Sequence, residues 1–219
     1  MNARQEALQA EVLAELSWDP TIGATTVQVA VGPDDVVSLR GVVRSFAQKI
    51  AAEQGAKRVK GVHAVVNDVD VKLPSSHERS DPDLAAAVVR ALEWDVMVPH
   101  DRIKVTVSDG WARLEGTVDW NYERGAAEDA IHHLMGVRGI TNRIEVTPRA
   151  AAGDIERRIE DALKRHATLE AKAIEVDANR GKVVLRGTVH SWAERDAAEA
   201  AAWAAPGVAV VEDDLKVES

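Results

Sequence analysis

The side chains of this protein that could carry chemistry are 7 histidines, 36 carboxylates and 6 tryptophans, with no cysteine beside them. The lack of cysteine removes thiolate catalysis, disulfides and cysteine-ligated zinc or iron–sulfur sites. His132 and His133 are sequence neighbours, so on a helix their rings would point about 100° apart. A metal held on one helix face needs an i, i+4 pair instead, and no His-Glu-x-x-His occurs. The carboxylate pairs Asp68 and Asp70, Glu156 and Glu160, and Asp213 and Asp214 have spacings that follow solvent faces, with no apolar pocket or nucleophile accompanying them, which is not how an acid/base pair is housed. Neither Gly-x-Gly-x-x-Gly nor Gly-x-x-x-x-Gly-Lys-Ser/Thr is present, so no phosphate-cradling loop is expected. The reading is of a protein with no catalytic residue, no metal site and no cofactor.

The aromatic residues are more informative, since the tryptophans stand against one tyrosine, Tyr122, and one phenylalanine, Phe46. Trp18 and Trp94 share a context, Leu16-Ser17-Trp18-Asp19 and Leu92-Glu93-Trp94-Asp95, each two residues past the end of an apolar stripe; His166 falls near the same point further on. Phe46, Trp120 and Trp192 gather at a second recurrent place, just after a glycine that ends an apolar run. Two roles fit such rings: stapling a helix or sealing a contact between repeats, or forming an exposed edge that enters a phospholipid surface or docks a protein partner. Exposure separates the two. A net charge of −9 repels nucleic acid on average, so no nucleic-acid partner is expected. The densest basic stretches are Lys49, Lys57, Arg58 and Lys60, and Arg157, Arg158, Lys164 and Arg165. Both are interleaved with acids such as Glu53 and Glu156 and read as solvated faces, which lends anionic-lipid binding only weak support.

The elements that hold these residues repeat three times. Gly41, Gly116 and Gly187 each close an alternating apolar run, and Gly61, Gly136 and Gly207, each followed by valine, lie 20 residues further on in every copy. Upstream, Leu8, Val12 and Leu16 recur as Leu84, Val88 and Leu92 and as Ile155, Ile159 and Leu163, the i, i+4, i+8 stripe of a helix with one face to bury. Asp81 with Pro82, and Asp154 after Gly153, mark helix starts. Asp109-Gly110 and Asn179-Arg180-Gly181 suit the turn of a β-hairpin, and Pro33-Asp34-Asp35 does so less well. Ser45 with Gln48 and Ser191 with Glu194 are capping boxes for a second helix. In the second copy Asp119 or Asn121 could cap. These helices are expected to run to about Lys60, Met135 and Ala204, where glycine stops them, and a last strand follows each.

The pattern predicts an α+β protein of three tandem αββαβ modules, each a three-stranded mixed sheet with two helices on one face, over residues 1–73, 82–147 and 154–219. The last strand could pair on either side of the hairpin. Units this small are marginal alone, so packing between copies is expected. Short linkers, Pro74 to Ser80 and Pro148 to Gly153, separate them.

The αββαβ order, the Gly-Thr-Val or Gly-Val-Val run, and the later Gly-Val before the closing strand resemble the BON domain, also called the transport-associated domain, three times over. The resemblance implies that the six repeated glycines are family positions. It also implies a non-enzymatic binding or scaffold role related to envelope or osmotic stress. A phospholipid-surface protein, or a sensor of an ion or small ligand, is the alternative. Well-known family members are periplasmic. The chain as it stands shows acidic residues where a signal peptide needs an apolar run, so the expectation is cytoplasmic, or periplasmic if a signal has been removed.

Overall fold

The computed structural model describes residues 3–22, 27–147, 155–165, 174–179 and 181–217. The linker 148–153, the helix start at Asp154, His166 and the turn position Arg180 lie outside the described residues. Module one runs α1 (Ala3–Trp18), β1 (Gln28–Val31), β2 (Val36–Val43), α2 (Phe46–Arg58) and β3 (Ala64–Val71). Module two repeats it as α3 (Asp81–Trp94), β4 (Ile103–Ser108), β5 (Trp111–Val118), α4 (Asn121–Asp129) and β6 (Gly139–Val146). Module three does so as α5 (Ile155–Arg165), β7 (Ile174–Asn179), β8 (Lys182–Val189), α6 (Trp192–Trp203) and β9 (Val210–Val217). In each sheet the second strand is central, antiparallel to the first and parallel to the third, which fixes the side left open by the sequence.

Each first helix buries its apolar stripe, Leu8, Val12 and Leu16 in module one and Leu84, Val88 and Leu92 in module two, against the inward-facing residues of the central strand, such as Val37 and Leu39 or Ala112 and Leu114. In module two the opposite sheet face carries the exposed residues Lys104, Thr106, Trp111 and Arg113. There Trp111 lies across Gly139, its cross-strand partner; a Cβ on that glycine would sit 2.4 Å from the ring.

Several local expectations are corrected. Gly41, Gly116 and Gly187 do not end the central strands, which run on to Val43, Val118 and Val189. They sit inside them with φ of 131°, 151° and 129°. At Gly116 a Cβ would meet the Arg102 carbonyl oxygen at 2.2 Å, so the loop leading into β4 presses on the strand and only glycine fits there. Ser80, not Asp81, caps α3, accepting from the Asp83 N–H. Asp81 instead accepts from the N–H groups of Asp109 and Gly110 at 2.8 and 3.0 Å, tying the helix start to the hairpin turn. In module two neither Asp119 nor Asn121 caps α4. Trp120 holds the cap position, and the Glu123 carboxylate accepts from the Asp119 and Trp120 N–H groups, with Asp119 paired to Arg102. That helix ends at Asp129, well short of Met135. His132 and His133 therefore lie in turns, and their rings touch at 3.8 Å rather than diverging. The capping serines Ser45 and Ser191 accept from Gln48 and Glu194 N–H groups as their spacing suggests.

The second helices bring the modules together. Phe46 and Ile50 of α2 join the core cluster of module two, Trp203 of α6 packs on the clusters of both modules two and three, and Trp192 of α6 donates its indole N–H to the Val62 carbonyl of module one at 2.7 Å. Each module thus touches the other two.

Candidate binding surface

The ends of α1 and α3 are built alike. Asp19 follows Trp18 and accepts from the Thr21 backbone and hydroxyl; Asp95 follows Trp94 and accepts from the Met97 N–H at 2.9 Å. In both, the residue three past the aspartate bonds back to its carbonyl, Ile22 to Asp19 and Val98 to Asp95, and buries its side chain. Such a turn reverses the chain at the aspartate and anchors Ile22 or Val98 inside. The tryptophan before it is left pointing outward: Trp18 is 86% exposed and Trp94 88%. In module two Val96, 95% exposed, and Met97 extend the apolar tip. A shared Trp-Asp-x-x-Ile/Val signature carries this geometry, and its last position was the readable signal that the Trp-Asp match alone did not use.

Carboxylates collar both tips. Arg58 reaches from α2 to Glu15 at 2.8 Å and to Asp19 at 3.4 Å. The Asp19 carboxyl is held below its ordinary range, first by the bonds from Thr21 and then by Arg58, while the Arg58 guanidinium is raised, chiefly by its bond to Glu15. Glu93 and Asp95 flank Trp94 in sequence.

The second aromatic group divides. Phe46 is 8% exposed within the neighbouring module's core. Trp192 is half-buried in the seam between modules three and one, with Lys57 Nζ 5.3 Å and Arg195 Cζ 4.9 Å from its ring centroid. Trp120 remains exposed at the start of α4. Trp203, which spacing did not single out, sits in the remaining seam with Arg124 5.1 Å over its ring. Gly61, Gly136 and Gly207 take φ of 90°, 97° and 94° in the turns between second helix and last strand.

A further repeated device escaped the sequence reading. Asn67 on β3 donates to the Lys49 carbonyl and Glu53 of α2, both at 3.1 Å, and accepts from the Val69 N–H. Asn142 on β6 repeats this with Arg124, Glu128 and Ile144. Asp213 on β9 takes the same place with the first bond reversed, accepting from the Arg195 guanidinium of α6 and from the Leu215 N–H. All three stand six residues after the second glycine, a signal hidden because Asp213 resembled one of many surface acids. Among the described residues no cluster of three metal-ligating side chains occurs, and no helix is long and apolar enough to cross a membrane.

The BON domain family matches residues 4–72, 80–148 and 151–219. The chain is 31% identical over 145 residues to the osmotically inducible protein Y of Escherichia coli (strain K12), covering 64% of this chain and 71% of that protein. Among solved structures, the C-terminal domain of CdsD, a structural protein of the type III secretion system of Chlamydia trachomatis, aligns over 97% of this chain and 98% of its own at 14% identity, with a TM-score of 0.27. The periplasmic domain of PrgH aligns over 94% of this chain and 100% of its own at 9% identity and a TM-score of 0.21. Scores that low carry no argument about fold or function.

Proposed function

Because the chain belongs to the BON domain family, with three copies of the module, we propose that it is a non-enzymatic binding protein that presents Trp18 and Trp94 to a protein partner under osmotic or envelope stress. The likeness to an osmotically inducible protein supports the setting. The observation that carries the binding reading is the paired exposure of these two rings on turns that hold them outward. An amphipathic ring offers large contact area at low conformational cost. Glu15 and Asp19 at one tip and Glu93 and Asp95 at the other favour a partner pocket that is apolar at its centre and basic at its rim. The same carboxylates oppose anionic headgroups, so a phospholipid surface is the second reading.

Photo-crosslinking from position 94, with position 104 on the exposed sheet face of module two as control, tests it. A discrete protein adduct from position 94, absent at 104 and lost with Asp95→Lys, is the expected result. No adduct, together with vesicle pelleting that rises with anionic lipid and falls with salt, replaces the protein partner by a membrane.

A further inference from the structure

Lys57, Arg58 and Lys60, from one of the two densest basic stretches in the sequence, have no part in the helix tips beyond Arg58. They form one wall of a cleft of about 540 Å³ in the seam between modules one and three. The wall from module one is the end of α2 and the turn that follows, with Val59 and Val62; the facing wall is the start of α6, with Trp192 and Ala193, and Val217. That volume lies within the range of small-ligand sites, and a mostly apolar wall with a few polar groups is their usual make-up. We propose that this cleft binds a small organic anion with an apolar body, such as a carboxylate on a short alkyl chain.

Three observations select that chemistry. Three cationic side chains line the cleft and one carboxylate, Asp196, does, in a protein whose net charge is −9. Arg58 is engaged by Glu15 and Asp19, and Lys57 by Glu53, but Lys60 is solvent-exposed and has no ion-pair partner among the described residues, so its ammonium is available to a head group. The Trp192 ring is flanked by Lys57 and Arg195 and fixed by its bond to the Val62 carbonyl. These two cations already sit by the ring and oppose a cationic ligand there, while the part of the ring that still lines the cleft is held in place and offers apolar surface at little ordering cost. A ligand lying here touches both modules, so it should tighten the seam that Trp192 bridges. The inference does not rest on the helix tips.

The test titrates the full chain with decanoate below its micellar range, with decanol and decyltrimethylammonium as neutral and cationic counterparts, reading tryptophan emission and thermal midpoint. Decanoate should shift the emission and raise the midpoint, and the counterparts should do neither. Lys60→Glu should weaken decanoate roughly threefold to tenfold, the effect of losing one exposed ion pair and setting a like charge in its place. Trp192→Phe should remove the emission change and keep the midpoint rise. A Trp18→Ser/Trp94→Ser double variant should bind decanoate as the parent does. Equal response to all three amphiphiles, no response to decanoate, undiminished binding by Lys60→Glu, or loss of binding in the double variant each overturns the proposal.

Discussion

The ends of α1 and α3 and the starts of α2 and α6 both carry aromatic rings at recurrent places, and they meet opposite fates. Trp18 and Trp94 stand in solvent, whereas Phe46 is buried in another module's core and Trp192 is wedged in a seam. The rings are chemically alike, so their type does not decide this. What decides is the direction of the element: the starts of α2 and α6 face sister modules, whereas the turns after α1 and α3, and the start of α4 with its exposed Trp120, face solvent. Burying a phenylalanine side chain is worth roughly 1.5–3 kcal/mol, a large share for a module of this size. The seam rings stabilise the trio. Trp18 and Trp94 gain nothing of the kind within the chain, and folding energy does not account for them.

The sharpest way to break this contrast is Phe46→Ala. Truncating a buried phenylalanine costs about 3–5 kcal/mol, and here the loss falls on module two although the residue belongs to module one. Calorimetry should show a lowered midpoint and modules one and two melting as separate transitions. A single transition at the parent temperature would mean that the seam adds no stability and that the two sets of rings do not differ.

A smaller effect is expected at Glu53, whose contacts reach the other seam. Burial alone would raise its carboxyl, but bonds from Lys57 and Asn67 outweigh that and hold it below the ordinary glutamate range. A carboxylate depressed in the folded state contributes stability that is present above its unfolded pKa and lost as pH falls through the folded one. The contribution of Glu53 should therefore fade as the pH falls below the unperturbed glutamate pKa, about 4.3. Glu53→Gln should lower the midpoint at neutral pH, flatten this acid limb, and converge with the parent at lower pH. Since Lys57 stands by Trp192, emission from the seam should follow the same limb. A difference between parent and variant that stays constant down to pH 2 would detach Glu53 from the seam.

The sequence was legible where physics acts at short range. The i, i+4, i+8 stripes specify buried helix faces because 3.6-residue periodicity leaves little choice, and the serines of the capping boxes satisfy N–H groups three residues away. The module count follows from glycines that recur at fixed spacing. What could not be read depends on groups far apart in the chain. The strain on Gly116 comes from the Arg102 carbonyl. The work of Asp81 lies in a hairpin turn 28 and 29 residues on, so its aptitude for capping misled. Trp192 meets Val62 across 130 residues, and no local pattern announces that contact. The exposure of Trp18 and Trp94 lay between these cases: the Trp-Asp pair was visible, but the outward direction needed the buried Ile22 and Val98.

The smallest effect on stability should come from the rings that are most conspicuous. Trp18→Ser and Trp94→Ser remove large side chains that touch little of the protein, so each should change the unfolding free energy by no more than about 0.5 kcal/mol. The substitutions remove exposed apolar surface, and the Asp19 and Asp95 turns keep their own bonds. Urea denaturation measures this against Phe46→Ala on one scale. A tip substitution that costs as much as the seam substitution would show that these rings are packed in solution and that the contrast is false. Unchanged stability with a lost crosslink from the tip would instead divide the aromatic residues of one repeat into those that assemble the chain and those that meet its partner.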